Sequence, residues 1–353
     1  MTNNLMRKFT NLLFTPESFI FFISLAVVHG ASFQAMDMIT AADNPDSITY
    51  LGIAELDFNQ SEIRRYRVII PFLAGFINFI FGNLFDALAP WTFKGDFSLS
   101  ISFLIVNNLL MALTGVFVFK YVYFHTRHFL SSTLGLISFL TCRWTGILAG
   151  TPLVDSLFIF ILVLVLLGLK TNNRQMLIFS IFLGPWAKES FIFIAPIIFF
   201  YAPIKKTRMV LLFLISGILV FSGRFIIDSL SDTPPLLALG KDFRHLTYIL
   251  SGFKRLFSFH GLYEVFSVTG FWVLLIVPAA LNRKVKSYLT DFKGYEWWFL
   301  VSVVFQALIS VEIARMLFML TPVLAVLWAK VFKDFLEHPK LDNFFKPAVK
   351  DNF

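Results

Sequence analysis

Apolar segments close to the length of a bilayer crossing follow one another along almost the whole chain, separated by short polar breaks. A helical crossing takes roughly 20 mostly apolar residues, within about 17–25. By that measure the pattern predicts helices over 17–36, 99–124, 129–150, 153–169, 176–185, 190–202, 209–227, 264–281, 297–311 and 316–332. The two segments around Gly184-Pro185 are near or below spanning length and read as tilted or as a broken pair. The fold class is therefore all-α: a polytopic transmembrane helical protein of about ten spans. Residues 1–336 form one domain and 337–353 a short polar cytoplasmic tail.

One polar island interrupts this pattern early. It runs from Asp43-Asn44-Pro45-Asp46-Ser47-Ile48-Thr49-Tyr50 through Glu55, Asp57 and Glu62 to Arg64, Arg65 and Arg67. Within the external loop 37–97, residues 51–58 suit the membrane surface. Residues 68–85 are apolar but hold Pro71, Gly75, Asn78, Gly82 and Asn83. Parity decides how to read that last piece. If it does not fully cross, the basic breaks at 125–128, 170–174, 205–208, 283–286 and Lys330/Lys333 share a side with Arg7 and Lys8. The preference of Lys and Arg for the cytoplasmic side favours that arrangement, hence a juxtamembrane or re-entrant 68–85. The opposite side then collects Asp37, Asp43, Asp46, Arg64 to Arg67, Asp155, Lys188-Glu189, the loop 228–263 and Glu312 with Arg315.

Composition sharpens the class. The 353 residues are 57% hydrophobic and 15% charged, where a soluble domain carries about 25% charge. The 46 phenylalanines suit lipid-facing surface. The net charge of +8 lies in short loops, so it reads as membrane orientation and not as nucleic-acid binding. A single cysteine, Cys142, excludes an internal disulfide framework or cysteine metal site. The first apolar stretch lacks a small-residue cleavage signature and reads as a retained helix. No metalloprotease HExxH, nucleotide-binding Walker A or hydrolase GxSxG pattern occurs, and no internal repeat supports a two-half transporter. His125 and His128 lie on the basic side, next to headgroups.

The candidate chemistry rests on ionisable groups embedded in apolar sequence, which are costly near a bilayer and so mark function or pairing. Asp43 and Asp46 flank a Pro-stiffened turn, where neighbouring carboxylates can divide into base and partner. Asp46 reads equally well as a helix cap. Lys188 offers a compact cation suited to phosphate and Glu189 a partner for it; an interface-snorkelling Lys188 is the plainer reading. Glu312 and Arg315, at i and i+3, share a helical face, where they either grip a ligand or seal a turn. Asp155, just after Pro152, suits a helix start, and capping explains it well.

Taken together, this outline resembles the polyprenyl-phosphate-sugar-dependent glycosyltransferases of the GT-C superfamily. In bacterial members the first external loop often carries an acidic pair followed by a small residue and Tyr. Here Asp46 and Tyr50 match the first acid and the Tyr, whereas Ser47 stands where the second acid is expected. That departure leaves Asp43 or Asp37 as the second carboxylate. The residues 51–85, Pro152 with Asp155, Lys188-Glu189 and Arg315 followed by Pro322 are also similar. The resemblance implies catalytic Asp46 and Asp43, with Tyr50, Arg64, Arg65, Arg67, Asp155, Lys188, Glu189, Glu312 and Arg315 binding substrate. It implies a lipid-linked sugar donor, inversion at the anomeric carbon, and an acceptor glycan, lipid or protein. No cofactor or metal is expected, although some relatives use a divalent metal. The small size suits a bacterial inner membrane, with the site facing outward. A transporter or lipid flippase, and a non-catalytic assembly protein of the same fold, are the alternative readings.

Overall fold

The computed structural model describes residues 15–38, 44–61, 64–88, 97–232, 249–281, 284–310 and 312–337. These form seventeen α-helices joined by short turns and 3-10 segments, with no strand among the described residues. Asp43 and the tail from 338 onward lie outside the described residues, as does the side chain of Asp37.

Two long helices set the frame. α1 (Pro16–Met38) and α4 (Phe97–Thr126) run antiparallel. Glu17 pairs with Lys120 at 3.3 Å near one end, and Ser32 donates to the Asn108 side chain at 2.7 Å toward the other. Between them come α2 (Pro45–Ala54) and α3 (Ile69–Leu88). The chain thus leaves α1 and enters α4 at the same end of the bundle. α3 covers the piece read as juxtamembrane or re-entrant over 68–85. It is one unbroken helix, long and apolar enough to cross a bilayer. Pro71 falls in its first turn, where a missing N–H breaks no helical bond. Gly75 lets α2 approach closely: a Cβ there would lie 2.4 Å from the Ala54 carbonyl oxygen.

α5 (Phe129–Leu140) and α6 (Arg143–Gly150) form a pair bent by 57°. α6 rests on α1 through Gly146 and Gly150, four residues apart; a Cβ on Gly150 would fall 2.2 Å from the Ser32 carbonyl oxygen. Small residues at this spacing let helices touch where lipid offers no hydrophobic drive. α7 (Asp155–Thr171) is buried on every side from Asp155 to Leu169, as its uniformly apolar sequence requires. α8 (Arg174–Ala187) lies along it. The chain breaks at Lys188, turns through a 3-10 segment (Glu189–Phe193) and returns in α9 (Ala195–Tyr201), the broken pair anticipated around Pro185. α10 (Lys206–Ser229) follows, then α11 (Ile249–Leu256), α12 (Phe259–Thr269), α13 (Ile276–Leu281), α14 (Val285–Thr290), α15 (Gly294–Ile309), α16 (Ile313–Leu317) and α17 (Thr321–Leu336).

Among the described residues, five stretches are long and apolar enough to cross a membrane: Pro16–Met36, Ile69–Leu88, Phe97–Thr126, Lys206–Ser229 and Ile313–Leu336. The bent α5–α6 pair makes a sixth if taken as one span. This architecture is compatible with an integral membrane protein. These helices do not confirm the count of about ten spans. Continuous apolar sequence conceals breaks: the expected 264–281 is divided at Gly270, whose φ of +53° is left-handed, and the 176–202 region at Lys188.

The basic breaks meet at one end of the bundle. Lys170 Nζ lies 3.2 Å from His125 Nδ1, Lys333 Nζ donates to the Thr126 carbonyl at 3.0 Å, and Lys330 pairs with Asp291 at 3.0 Å. The rings of Tyr201 and Tyr295 bring the 205–208 break to the same place, and the Lys284–Asp334 pair brings 284–286. The histidines there do not face outward as expected. His125 is buried beside Glu296, and His128 caps α5 by accepting from Ser131 N at 3.1 Å.

Candidate functional site

The other end of the bundle holds a network of carboxylates and cations drawn from five separated pieces of chain. It is built from the start of α2. Asn44, not Asp46, caps that helix: its side-chain oxygen accepts from Asp46 N at 2.9 Å, and Pro45 supplies the first helical position. Asp46 is thereby released from capping. One of its oxygens sits 2.6 Å from Arg64 Nη2 and the other accepts from Arg315 Nη1 at 2.8 Å.

Asp155 opens α7 but does not cap it either. Its side chain is fully buried. Lys188 Nζ donates to one oxygen at 2.7 Å. Arg315 grips the other through Nε at 3.1 Å and through Nη2. Capping was the plainer expectation for Asp155; the ion pairs replace it because the break at Lys188 and the turn before α17 both end beside the start of α7. Glu312 and Arg315 do pair, at 2.8 Å, but Arg315 also joins Asp46 to Asp155 and so does more than seal its own turn. Lys188 and Glu189 part company. Glu189 accepts from Arg67 Nε at 3.0 Å and Nη2 at 2.7 Å, and Arg224 lies 3.9 Å away.

Arg67 also donates to the Tyr50 hydroxyl at 2.8 Å. Burial pushes that hydroxyl up to about 12, so Tyr50 stays protonated and positions Arg67. Arg65 is the member that turns away from this site. It is fully buried, bonded to Asp228 at 2.5 Å and to the Tyr66 hydroxyl at 3.2 Å, and ties the Arg64–Tyr66 turn to the end of α10.

A cavity of about 540 Å³ opens over this network. Arg64, Arg67, Lys188 and Arg315 line it together with Asp46 and Glu312, four cations against two carboxylates. Asp155 and Glu189 lie behind the cations and hold them from the rear. Polarity is graded: Asp155 at the base is 0% exposed, Asp46 13%, and Glu312 at the mouth 56%. Ser190, Phe193, Gln306 and Ile309 are among the other residues of the wall.

No protein family, curated protein or solved structure matches this chain. Its chemistry is therefore argued from the site.

The described residues include no group of three or more His, Cys, Asp or Glu that could hold a metal ion, and both Asp46 oxygens are already occupied by guanidinium groups. Asp43, the expected second catalytic acid, lies outside the described residues. Sequence reasoning missed Arg224, Asp228 and Arg143, which reach partners far along the chain, and Glu264, whose partners Arg255 and His260 are near it in sequence. Arg224 and Arg143, charges inside the apolar stretches 209–227 and 129–150, left a signal that could have been read.

Proposed function

We propose that this protein is a membrane glycosyltransferase. It moves a sugar from a polyprenyl-phosphate donor to an acceptor hydroxyl on a glycan, lipid or protein, with inversion. The observation that carries the reading is Asp46, held between Arg64 and Arg315 on the wall of a cation-rich cavity. The convergence of costly buried charges from across the chain supports a function there. They gather at one end of the bundle, which favours chemistry at a membrane surface over passage through the helices. The basic end marks the cytoplasmic side, so the cavity faces outward, in a bacterial cell from the inner membrane.

In this mechanism the donor phosphate enters among Arg64, Arg67, Lys188 and Arg315. It takes over the guanidinium contacts of Asp46 and frees a carboxylate oxygen. That oxygen accepts the proton of the acceptor hydroxyl as the hydroxyl oxygen bonds to the anomeric carbon. The bond from that carbon to the phosphate oxygen breaks, and the lipid phosphate leaves with the electron pair, stabilised by cations already in place.

The test uses purified protein in membranes supplied with radiolabelled polyprenyl-phosphate sugars and a membrane extract as acceptor. Wild type is expected to transfer label. Asp46→Asn is expected to lose about 10²–10⁴-fold in rate while folding normally, the usual worth of a positioned base. Equal transfer by both would remove Asp46 from the mechanism. Orientation is checked in a Cys142→Ser background. A membrane-impermeant thiol reagent is expected to label Glu55→Cys from outside and not Ser287→Cys, both positions being exposed. The reverse pattern would place the cavity in the cytoplasm.

A further inference from the structure

One side of α1 is taken up by the bundle. Ser24 and Ser32 meet α4, and Ser32 with Ala35 meets α6. The other side is open. Ala26, His29, Gly30 and Gln34 are exposed, and a Cβ added to Gly30 would meet nothing within 4 Å.

His29 is the informative residue. At 1.5 Å per residue it lies roughly 20 Å from the Pro16 end, well inside the apolar stretch that is long enough to cross a bilayer. Asn108 Nδ2, 3.4 Å from its Nδ1, can only donate, so a neutral ring accepts there and carries its proton on Nε2. That Nε2–H has no acceptor among the described residues, and the Gln34 amide has no partner among them either. Hydrocarbon holds no water to satisfy such groups. Polar side chains on an open helix face at this depth call for another polar helix, not for lipid.

The face is complementary to itself. Between Glu17 and Asp37 α1 carries no Asp, Glu, Lys or Arg, so nothing repels a like surface. At 3.6 residues per turn, His29 and Gln34 lie roughly 80° and 60° to opposite sides of the Ala26–Gly30 line. Two parallel copies that touch along this line, related by a twofold axis along the membrane normal, bring each His29 flank against Gln34 of the partner subunit. The axial offset is roughly 7.5 Å, and the Gln34 side chain shortens it by leaning toward the helix N-terminus. Ala26 and Gly30, four residues apart, let the backbones approach, as Gly146 and Gly150 do within the bundle. We propose that α1 is the contact helix of a parallel homodimer in the membrane, centred on Ala26 and Gly30 and closed by hydrogen bonds from each His29 to Gln34 of the partner subunit. The inference requires α1 to cross the bilayer and is independent of the transfer reading.

Energy transfer between full-length copies labelled at Glu55→Cys, in a Cys142→Ser background and in liposomes of varied lipid-to-protein ratio, tests it. Transfer above the random level is expected, rising to a plateau as the protein is concentrated in the bilayer. Gly30→Leu, whose side chain enters open space and leaves the fold intact, is expected to weaken the dimer about tenfold by holding the backbones apart. His29→Phe and Gln34→Leu are each expected to weaken it several-fold, and the double variant no more than either alone, because both remove the same hydrogen bonds. Under oxidation Gly30→Cys is expected to form a disulfide between subunits, and Leu214→Cys, on the exposed face of α10, is not. The proposal falls if wild type shows only random transfer at every ratio, or if Gly30→Leu associates as wild type does, which would put the contact on another helix. It falls equally if His29→Phe and Gln34→Leu both leave association unchanged, or if Leu214→Cys cross-links and Gly30→Cys does not.

Discussion

Both ends of this bundle bury carboxylates, but they satisfy them by different means. At the basic end Glu296 accepts from the Tyr121 hydroxyl at 2.5 Å and from Lys293 N at 2.7 Å, with His125 Nε2 2.8 Å away. Its partners are a neighbouring helix and its own capping turn, and the result ties α4 to α15. At the other end Asp46 and Asp155 are matched by cations from α16, from the break at Lys188 and from the Arg64–Tyr66 turn, and most of those cations also face a cavity. The first arrangement is closed and local. The second leaves the cations facing open space. Burial alone therefore does not mark a site; what marks this one is burial with partners that also line open space.

That contrast can be broken most sharply at Asp155. Asp155→Ala strands Lys188 as a buried, unmatched cation and removes one of the three carboxylates around Arg315, and is expected to cost about 3–5 kcal/mol. Thermal unfolding in nanodiscs measures it. Replacing Asp155, Lys188 and Arg315 together by Leu, Met and Leu is expected to recover much of the loss, because an apolar cluster needs no counter-charge. A single variant as stable as wild type would show that the network is wet. Glu296→Ala sharpens the other side of the comparison. Losing its acceptors is expected to destabilise by about 1–3 kcal/mol while leaving the transfer rate per folded molecule unchanged. A rate loss matching that of Asp46→Asn would dissolve the distinction between the ends. The smallest effect is expected at the exposed Lys284–Asp334 pair: Lys284→Ala is expected to shift stability by less than about 1 kcal/mol, again by thermal unfolding.

Much of the architecture was legible in the hydrophobic pattern, because helical crossings are specified by length and apolarity along one stretch of chain. The all-helical class, the two-ended sorting of charge and the break near Pro185 all follow from local sequence. The number of spans does not, since a left-handed Gly270 or a break at Lys188 interrupts a helix without changing its hydropathy. The site was legible as a set of residue types and much less as a set of partners. Asp46, Lys188, Glu312 and Arg315 do share one cavity. Neither Asp46 nor Asp155 caps its helix, because Asn44 takes the cap position two residues before Asp46 and because Asp155 has two cations within reach. Arg65 was indistinguishable from Arg64 and Arg67 in sequence, yet it faces Asp228, 163 positions away. Such choices are made by packing between distant segments, which no local pattern records.

The double grip on Asp46 has a consequence for selectivity. With a carboxylate seated on Arg64 and Arg315, the cavity carries its own counter-ions. A small halide offers too little to dislodge them. Under the proposed transfer, the ligand that displaces that carboxylate needs several oxygens on one centre, so that it engages more than one guanidinium at once and denticity would set what enters.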